Sequence, residues 1–262
     1  MTLKTNLNSD LGESYGAWSM GDDAAMLAVV GTANVACGFH AGDWSVMQAT
    51  VAEAVKNGVS IGAHPSYPDL QGFGRRPMTM SNAEVEALMA YQIGALMGVA
   101  ATKGGKVTHV KPHGAINNKA ATDMDLALAL ARGIAGVSKD LIFLAPAGSA
   151  MVKAAARMNL PVAQEVFADR NYDDDGNLVP RGQPKAMVHD NDEALRNVLR
   201  MVQERAIVSL SGKRIPCNVD SICVHGDSAG AVAMARHIRA GLERAGVALV
   251  TLPEMVAQTR AA

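Results

Sequence analysis

Residues 107–118 read VTHVKPHGAINN: a short β-rich run, Val107 to Val110, gives way at once to Lys111, His113 and Asn117. A run of this length fits a strand buried on both faces, and the polar groups then sit where strand becomes loop. The same pattern recurs on both sides. Upstream, Leu3 to Asn8 leads to NSDLGES with Asp10 and Glu13, Asn34 to Gly38 to GFHAGD with His40 and Asp43, and Val59 to Ala63 to GAHPSYPD with His64. Downstream, Leu141 to Ala145 leads to APAG at 145–148, Val162 to Val166 to ADRN at 168–171, and Ile222 to His225 to VHGDSAG at 224–230.

Helical patterns separate these runs, near 22–31, 44–57, 82–102, 123–135, 149–158, 191–205 and 228–245. Strands alternating with helices predict an α/β protein with a parallel sheet. No linker-like stretch and no internal repeat divides the chain, so residues 1–262 are read as one β/α-barrel domain with seven main strands. Val247 to Leu252 is a candidate eighth, and Ile207 to Asn218, with its GK turn, a candidate hairpin. Ser81 with Glu84 and Asp190 with Glu193 have capping-box spacing, and Asp227 and Ser228 are placed to cap the last long helix. Two stretches are too long for ordinary βα loops, Pro65 to Met80 and Ala168 to His189, and are candidate substrate lids.

At 262 residues the chain is long enough for a sizeable core. A net charge of -1, with 19% charged residues, argues against nucleic acid as the main partner. The N-terminus lacks the apolar core of a secretory signal and no later run approaches a membrane span, so a soluble, cytoplasmic protein is expected. The 3 cysteines, Cys37, Cys217 and Cys223, show no CxxC pairing and read as reduced, mostly buried thiols.

In parallel barrels the loops beyond the C-terminal strand ends form the substrate site. That rule gathers Asp10, Glu13, His40, His64, Lys111, His113, Asn117 and His225 over one mouth. A lone histidine is commonly a satisfied core side chain, and His237, inside a helical pattern, stays in that class. Four at strand ends point to shared chemistry. Asp10, His40, His64 and His113 have the donor atoms for Zn, Mn or Fe, where bound water becomes a better nucleophile. Without a metal, Asp10 or Glu13 can act as a base while His or Lys stabilises charge on oxygen. Lys111 is a candidate electrostatic clamp. Arg75 and Arg76, in the glycine-rich QGFGRRP, can grip a small anionic substrate, and Asp169, Arg170 and Asn171 form a second rim. The DDDG run at 173–176 lacks a calcium-loop pattern and reads as an exposed turn. There is no GxxxxGK[ST] phosphate loop, since GGK at 104–106 and SGK at 211–213 lack the spacing, and no Rossmann fingerprint, HExxH or GxSxG.

Longer blocks carry a resemblance. NLNSDLGESYGAW at 6–18, NVACGFHAGD at 34–43, IGAHPSYPDLQGFGRR at 61–76, HVKPHGAINN at 109–118, EVFADRNYDDDGNLVPR at 165–181 and SICVHGDSAGAV at 221–232 resemble the LamB/YcsF family. The resemblance spans essentially the whole chain. It implies a seven-stranded β/α barrel like those of glycoside hydrolases and polysaccharide deacetylases. It also implies ATP-dependent opening of the lactam 5-oxo-L-proline (pyroglutamate) to L-glutamate, as a 5-oxoprolinase working with partner subunits B and C. ATP, with Mg, would then be cosubstrate, and a homo-oligomer is compatible with this. On that basis Asp10, His40, His64 and His113 surround the activated carbonyl, Glu13 handles water, Lys111 stabilises charge, and Arg75 or Arg76 holds the substrate carboxylate. Asn117, Asp169, Arg170 and His225 complete the binding site. Two alternatives stand beside it: a metal-dependent amide hydrolase or deacetylase without ATP, and a non-catalytic substrate-binding subunit.

Overall fold

The computed structural model describes residues 3–226 and 230–259. The chain begins with β1 (Lys4–Leu11), α1 (Asp23–Leu27), β2 (Thr32–Ala36), α2 (Trp44–Lys56), β3 (Ser60–His64) and α3 (Asn82–Thr102). Next come β4 (Val107–Val110), α4 (Gly114–Ala120), α5 (Met124–Val137), β5 (Ile142–Pro146), α6 (Ala150–Arg157) and β6 (Val162–Phe167). It ends with α7 (Asn191–Glu204), β7 (Ala206–Val208), β8 (Arg214–Pro216), β9 (Ser221–Cys223), α8 (Ala231–Arg244), β10 (Ala248–Leu249) and α9 (Leu252–Thr259).

Strands β1 to β6 and β9 pair in parallel, each with the next, and β9 returns to β1 through Asn6 opposite Ser221 and Asn8 opposite Cys223. The ring is therefore a closed barrel of seven strands, as expected. The candidate eighth strand does not enter it. Only β10 forms there, beside Lys4 and Thr5, because β9 occupies β1 from Asn6 onward. The expected hairpin is present as antiparallel β7 and β8.

Alternation along β1 shows how the barrel is filled. Leu7 and Leu11 join the apolar cluster, whereas Asn6, Asn8 and Asp10, two residues apart, enter a polar network. Ser221 Oγ donates to Asn6 Oδ1 at 2.7 Å and accepts from Asn8 Nδ2 at 2.7 Å. Asn34 Nδ2 reaches Asn8 Oδ1 at 2.8 Å and Asp10 Oδ1 at 2.9 Å, while His109 Nε2 donates to Asn34 Oδ1 at 3.0 Å. Gly62 makes room for this network, since a Cβ there would overlap the His109 ring. The interior is thus hydrogen-bonded, and the apolar core lies largely between strands and helices.

Helix boundaries follow their caps. Ser81 and Glu84 form the full reciprocal box at α3, but Asp190 supplies only its own half at α7, accepting from the Glu193 N–H at 2.7 Å. Asp43 is spent as the α2 cap, accepting from Ser45 and Val46 N–H. The expected caps Asp227 and Ser228 lie outside the described residues. By length and composition α3 is apolar enough to cross a bilayer, with mean hydropathy 1.3, a test that the core helix of a soluble protein also passes. Here its Val85, Leu88, Met89, Ile93, Leu96 and Ala100 are buried in the fold. Helices α4 and α9 were not expected; α4 hides behind the Pro112 to Gly114 punctuation, which reads as loop.

Candidate active site

The chain leaves β1, β2, β3 and β4 at the same end of the barrel, and this brings four sequence-distant residues together. Glu13, His40, His64 and His113 offer ligand atoms within 4.8 Å of one another, all buried. His40 Nε2 lies 3.0 Å from Glu13 Oε1, and His113 Nδ1 lies 3.0 Å from His64 Nε2 and 3.6 Å from Glu13 Oε1. The His40 and His113 rings stack at 3.8 Å, with Phe73 edge-on to both. The segment after β3 is therefore a wall: the Phe73 carbonyl accepts from His113 Nε2 at 2.9 Å. Gly74, at φ +63, passes where a side chain would strike Ser66 and His40.

Beside this cluster Lys111 turns into the barrel. Its Nζ donates to Asp10 Oδ1 at 2.8 Å and Cys223 Sγ at 3.1 Å and lies 3.0 Å from Glu165 Oε1. Asp10 also lies 3.3 Å from His64 Nε2 through Oδ2, so it links the ammonium to the imidazoles. Across the mouth, His225 Nδ1 lies 2.7 Å from Asp169 Oδ2.

A cavity of about 850 Å³ opens onto these groups. Asp10, His64, Lys111 and His113 line it, as do Arg75, Asn117, Arg170 and His225. Glu13 and His40 are not on its lining but in the layer behind. Arg76 is elsewhere: its guanidinium is paired with Asp69, and it does not line the cavity. Asp169 is also off the lining and reaches the site through His225. Arg170 lines the wall with its guanidinium donating to the Val179 carbonyl at 2.6 Å. Asp173 Oδ1 accepts from its own turn at Asp175 and Asn177, so DDDG is an exposed turn.

Comparison with known proteins identifies the architecture: residues 5–257 match the LamB/YcsF family. The chain belongs to the LamB/YcsF family. This LamB/YcsF chain is 54% identical to the 5-oxoprolinase A subunit of Azoarcus sp. (strain BH72), over 97% of its own length and 99% of that protein. A lactam utilization protein from Thermus thermophilus superposes with a TM-score of 0.90 at 40% identity, with 95% of this chain and 100% of that one covered. The catalytic domain of a peptidoglycan N-acetylglucosamine deacetylase from Eubacterium rectale ATCC 33656 shares only the barrel, with TM-score 0.51 and 12% identity over 96% and 89% of the two chains.

Electrostatics divide the LamB/YcsF site into two halves. Burial holds His40 and His113 well below the usual imidazole range, with neighbouring imidazoles adding to the effect. Burial alone would raise Asp10, but His64 and Lys111 outweigh it and keep the carboxyl well below its ordinary range. Burial works against the Lys111 ammonium too, yet Asp10, followed by Cys223 and Glu165, holds its pKa well above normal. Burial pushes Glu165 and the Cys223 thiol upward.

The donor set fits a divalent metal in the LamB/YcsF barrel. His64 Nδ1 donates to the Lys111 carbonyl at 2.6 Å, and His113 Nε2 to the Phe73 carbonyl. These bonds turn His64 Nε2 and His113 Nδ1 toward each other at 3.0 Å beside the Glu13 carboxylate, where a shared proton or a metal cation satisfies both nitrogens. The histidine group takes Glu13 where the sequence suggested Asp10; Asp10, its Oδ1 engaged by Lys111 and Asn34, falls in a second candidate ligand group with Cys223 and His225. Glu165, Cys223, Asn8, Asn34 and Phe73 were missed. A charged residue inside the strand run VAQEVF, and the polar alternation of Asn6, Asn8 and Asp10, were the available signals.

Proposed function

We propose that this chain is the ring-opening barrel of an ATP-dependent 5-oxoprolinase, converting 5-oxo-L-proline to L-glutamate as ATP becomes ADP and phosphate. The single-domain barrel would act in the cytoplasm with partner subunits B and C. The observation that carries this is the convergence of Asp10, His64, Lys111 and His113 on one cavity in a chain whose relatives are named as the A subunit of 5-oxoprolinase. That name supports the existence of further subunits.

A lactam carbon is a poor electrophile and its nitrogen a poor leaving group. Phosphorylation of the lactam oxygen by ATP, with Mg, releases ADP and activates the carbon. Water then adds, the C–N bond breaks as the nitrogen takes a proton, and a second water cleaves the resulting acyl phosphate to the glutamate carboxylate and free phosphate. In this scheme Asp10 Oδ2 receives a proton from the attacking water, since Lys111 and His64 keep the group ionised. Lys111 Nζ balances negative charge developing above Asp10. Arg75 and Arg170 give the mouth a positive potential for an anionic ligand, and His225, oriented by Asp169, completes the wall. Glu13, His40, His64 and His113 would hold a divalent ion, which would supply Lewis-acid polarisation of oxygen when bound. Glu13 serves better there than as the water-handling base, lying behind the cavity lining with Oε1 toward His40 and His113.

The test is release of glutamate and ADP from 5-oxo-L-proline and ATP by the chain assembled with its partners. Equimolar products are expected, and neither should form when this chain is omitted. The Glu13, His40, His64 and His113 donor group favours a second reading, metal-dependent amide hydrolysis without ATP. Acetate release from N-acetylated sugars by this chain and a divalent metal alone would replace the first reading with that one.

A further inference from the structure

One corner of the cavity has unmet hydrogen-bonding groups that the ring-opening chemistry does not use. Asn117 on α4 and Ser149, just before α6, both line the cavity and are more than nine-tenths buried. Asn117 Oδ1 and Ser149 Oγ have no hydrogen-bond partner. The two positions belong to one corner, because the Ala150 N–H donates to the Ala121 carbonyl at 2.8 Å, one helical turn beyond Asn117. Ser149 is the N-cap residue of the eight-residue α6 yet makes no side-chain cap bond. A serine in that position ordinarily takes an N–H of the first turn. Here that turn is not closed by its own cap, and Lys153 lines the same stretch of wall. Backbone donors, a hydroxyl and a nearby ammonium suit an oxyanion. Asn117 Oδ1, an acceptor, instead needs a donor.

We infer that this corner recognises an amide N–H and a carboxylate carried on one carbon, with Asn117 Oδ1 accepting from the N–H and Ser149, the α6 N-terminus and Lys153 receiving the carboxylate. The class so described is a lactam derived from an α-amino acid, as opposed to a bare lactam or a bare carboxylate. The inference rests on the lactam reading above and sharpens it. It gives the carboxylate a seat on α6, away from Arg76, which Asp69 occupies. It also gives Asn117 a stated partner atom on the ligand.

The test compares 5-oxo-L-proline, as substrate, with 2-pyrrolidinone, the same ring without the carboxylate, as competitive inhibitor of the assembled enzyme. Ser149→Ala and Lys153→Gln should each raise KM for 5-oxo-L-proline about tenfold, the scale of one hydrogen bond to a charged group, with a smaller change in kcat. Inhibition by 2-pyrrolidinone should stay unchanged in both. Asn117→Ala should weaken both ligands. Thermal denaturation of each variant supplies the folding control, and Lys153→Gln, on an exposed side chain, keeps the test alive if Ser149→Ala folds poorly. A lower melting temperature for Ser149→Ala with no change in KM for it or Lys153→Gln would make the serine an ordinary cap and overturn the inference. So would equal weakening of both ligands in the Ser149 and Lys153 variants. If the unmodified assembly does not turn over 5-oxo-L-proline at all, the substrate reading fails and the inference with it, a result distinct from normal turnover with unmoved KM values.

Discussion

The histidines on the two sides of the mouth have the same ring and opposite electrostatic fates. At the ends of β2 and β4, His40 and His113 are buried against each other and kept neutral by desolvation. At the end of β9, His225 is also strongly desolvated, but Asp169 overcomes that and raises its pKa. The difference lies in the partner. An imidazole stacked on an imidazole keeps a lone pair for a metal or a proton, whereas an imidazole on a carboxylate becomes a fixed positive group. One half of the site thus offers imidazole nitrogens to a metal or a proton, and the other carries an imidazolium already paired with a carboxylate.

Breaking the link between the halves should have the largest effect. Asp10 touches Lys111 and His64 together, so Asp10→Asn should lower turnover by on the order of 10²–10⁴-fold while the subunits still assemble. Steady-state kinetics with a size-exclusion control checks this. Lys111→Met should cost roughly 3–5 kcal/mol of folding stability, since it strands Asp10 and Glu165 in the interior without their cation. Urea denaturation measures that loss.

The His225–Asp169 pair sharpens the contrast through pH. His225 titrates above its ordinary 6.5, so its share of stability is full below 6.5 and is lost as pH rises through the raised value. Asp169 titrates below its ordinary 3.8, so its share is full above 3.8 and is lost as pH falls through the lowered value. Stability lost in His225→Gln should therefore be greatest between these two ordinary values, at roughly 1.5–3 kcal/mol, and shrink on either side. Denaturation at several pH values would show this window, and a pH-independent difference would remove the ion pair from the account. Arg76→Gln should have the smallest effect on catalysis, with KM for 5-oxo-L-proline and kcat unchanged in steady-state kinetics, because its exposed guanidinium is paired with the buried Asp69 and not with a ligand in the cavity.

Much of this was legible in the chain itself. Seven short runs, each followed by charged or imidazole side chains, fixed the barrel and the end of it that carries chemistry. What was hidden depends on which way a side chain turns. Lys111 follows a strand like any loop lysine, and nothing local shows that it meets Asp10 and Cys223, each about a hundred residues distant along the chain. Two adjacent arginines read alike; in the fold Arg75 lies over the Phe73 ring on the cavity wall, and Arg76 is taken by an aspartate seven residues earlier. Glu13 and Asp10 were exchangeable as metal ligands by composition, and only the Lys111 and Asn34 contacts of Asp10 separate them.

The most direct measurement is a crystal structure of the chain with 5-oxo-L-proline soaked in at saturating concentration. The ring should lie in the 850 Å³ cavity with its carbonyl carbon beside Asp10 and His64 and its carboxylate toward α6. A ring bound outside that cavity, with Asp10, His64, Lys111 and His113 all clear of it, would contradict the site.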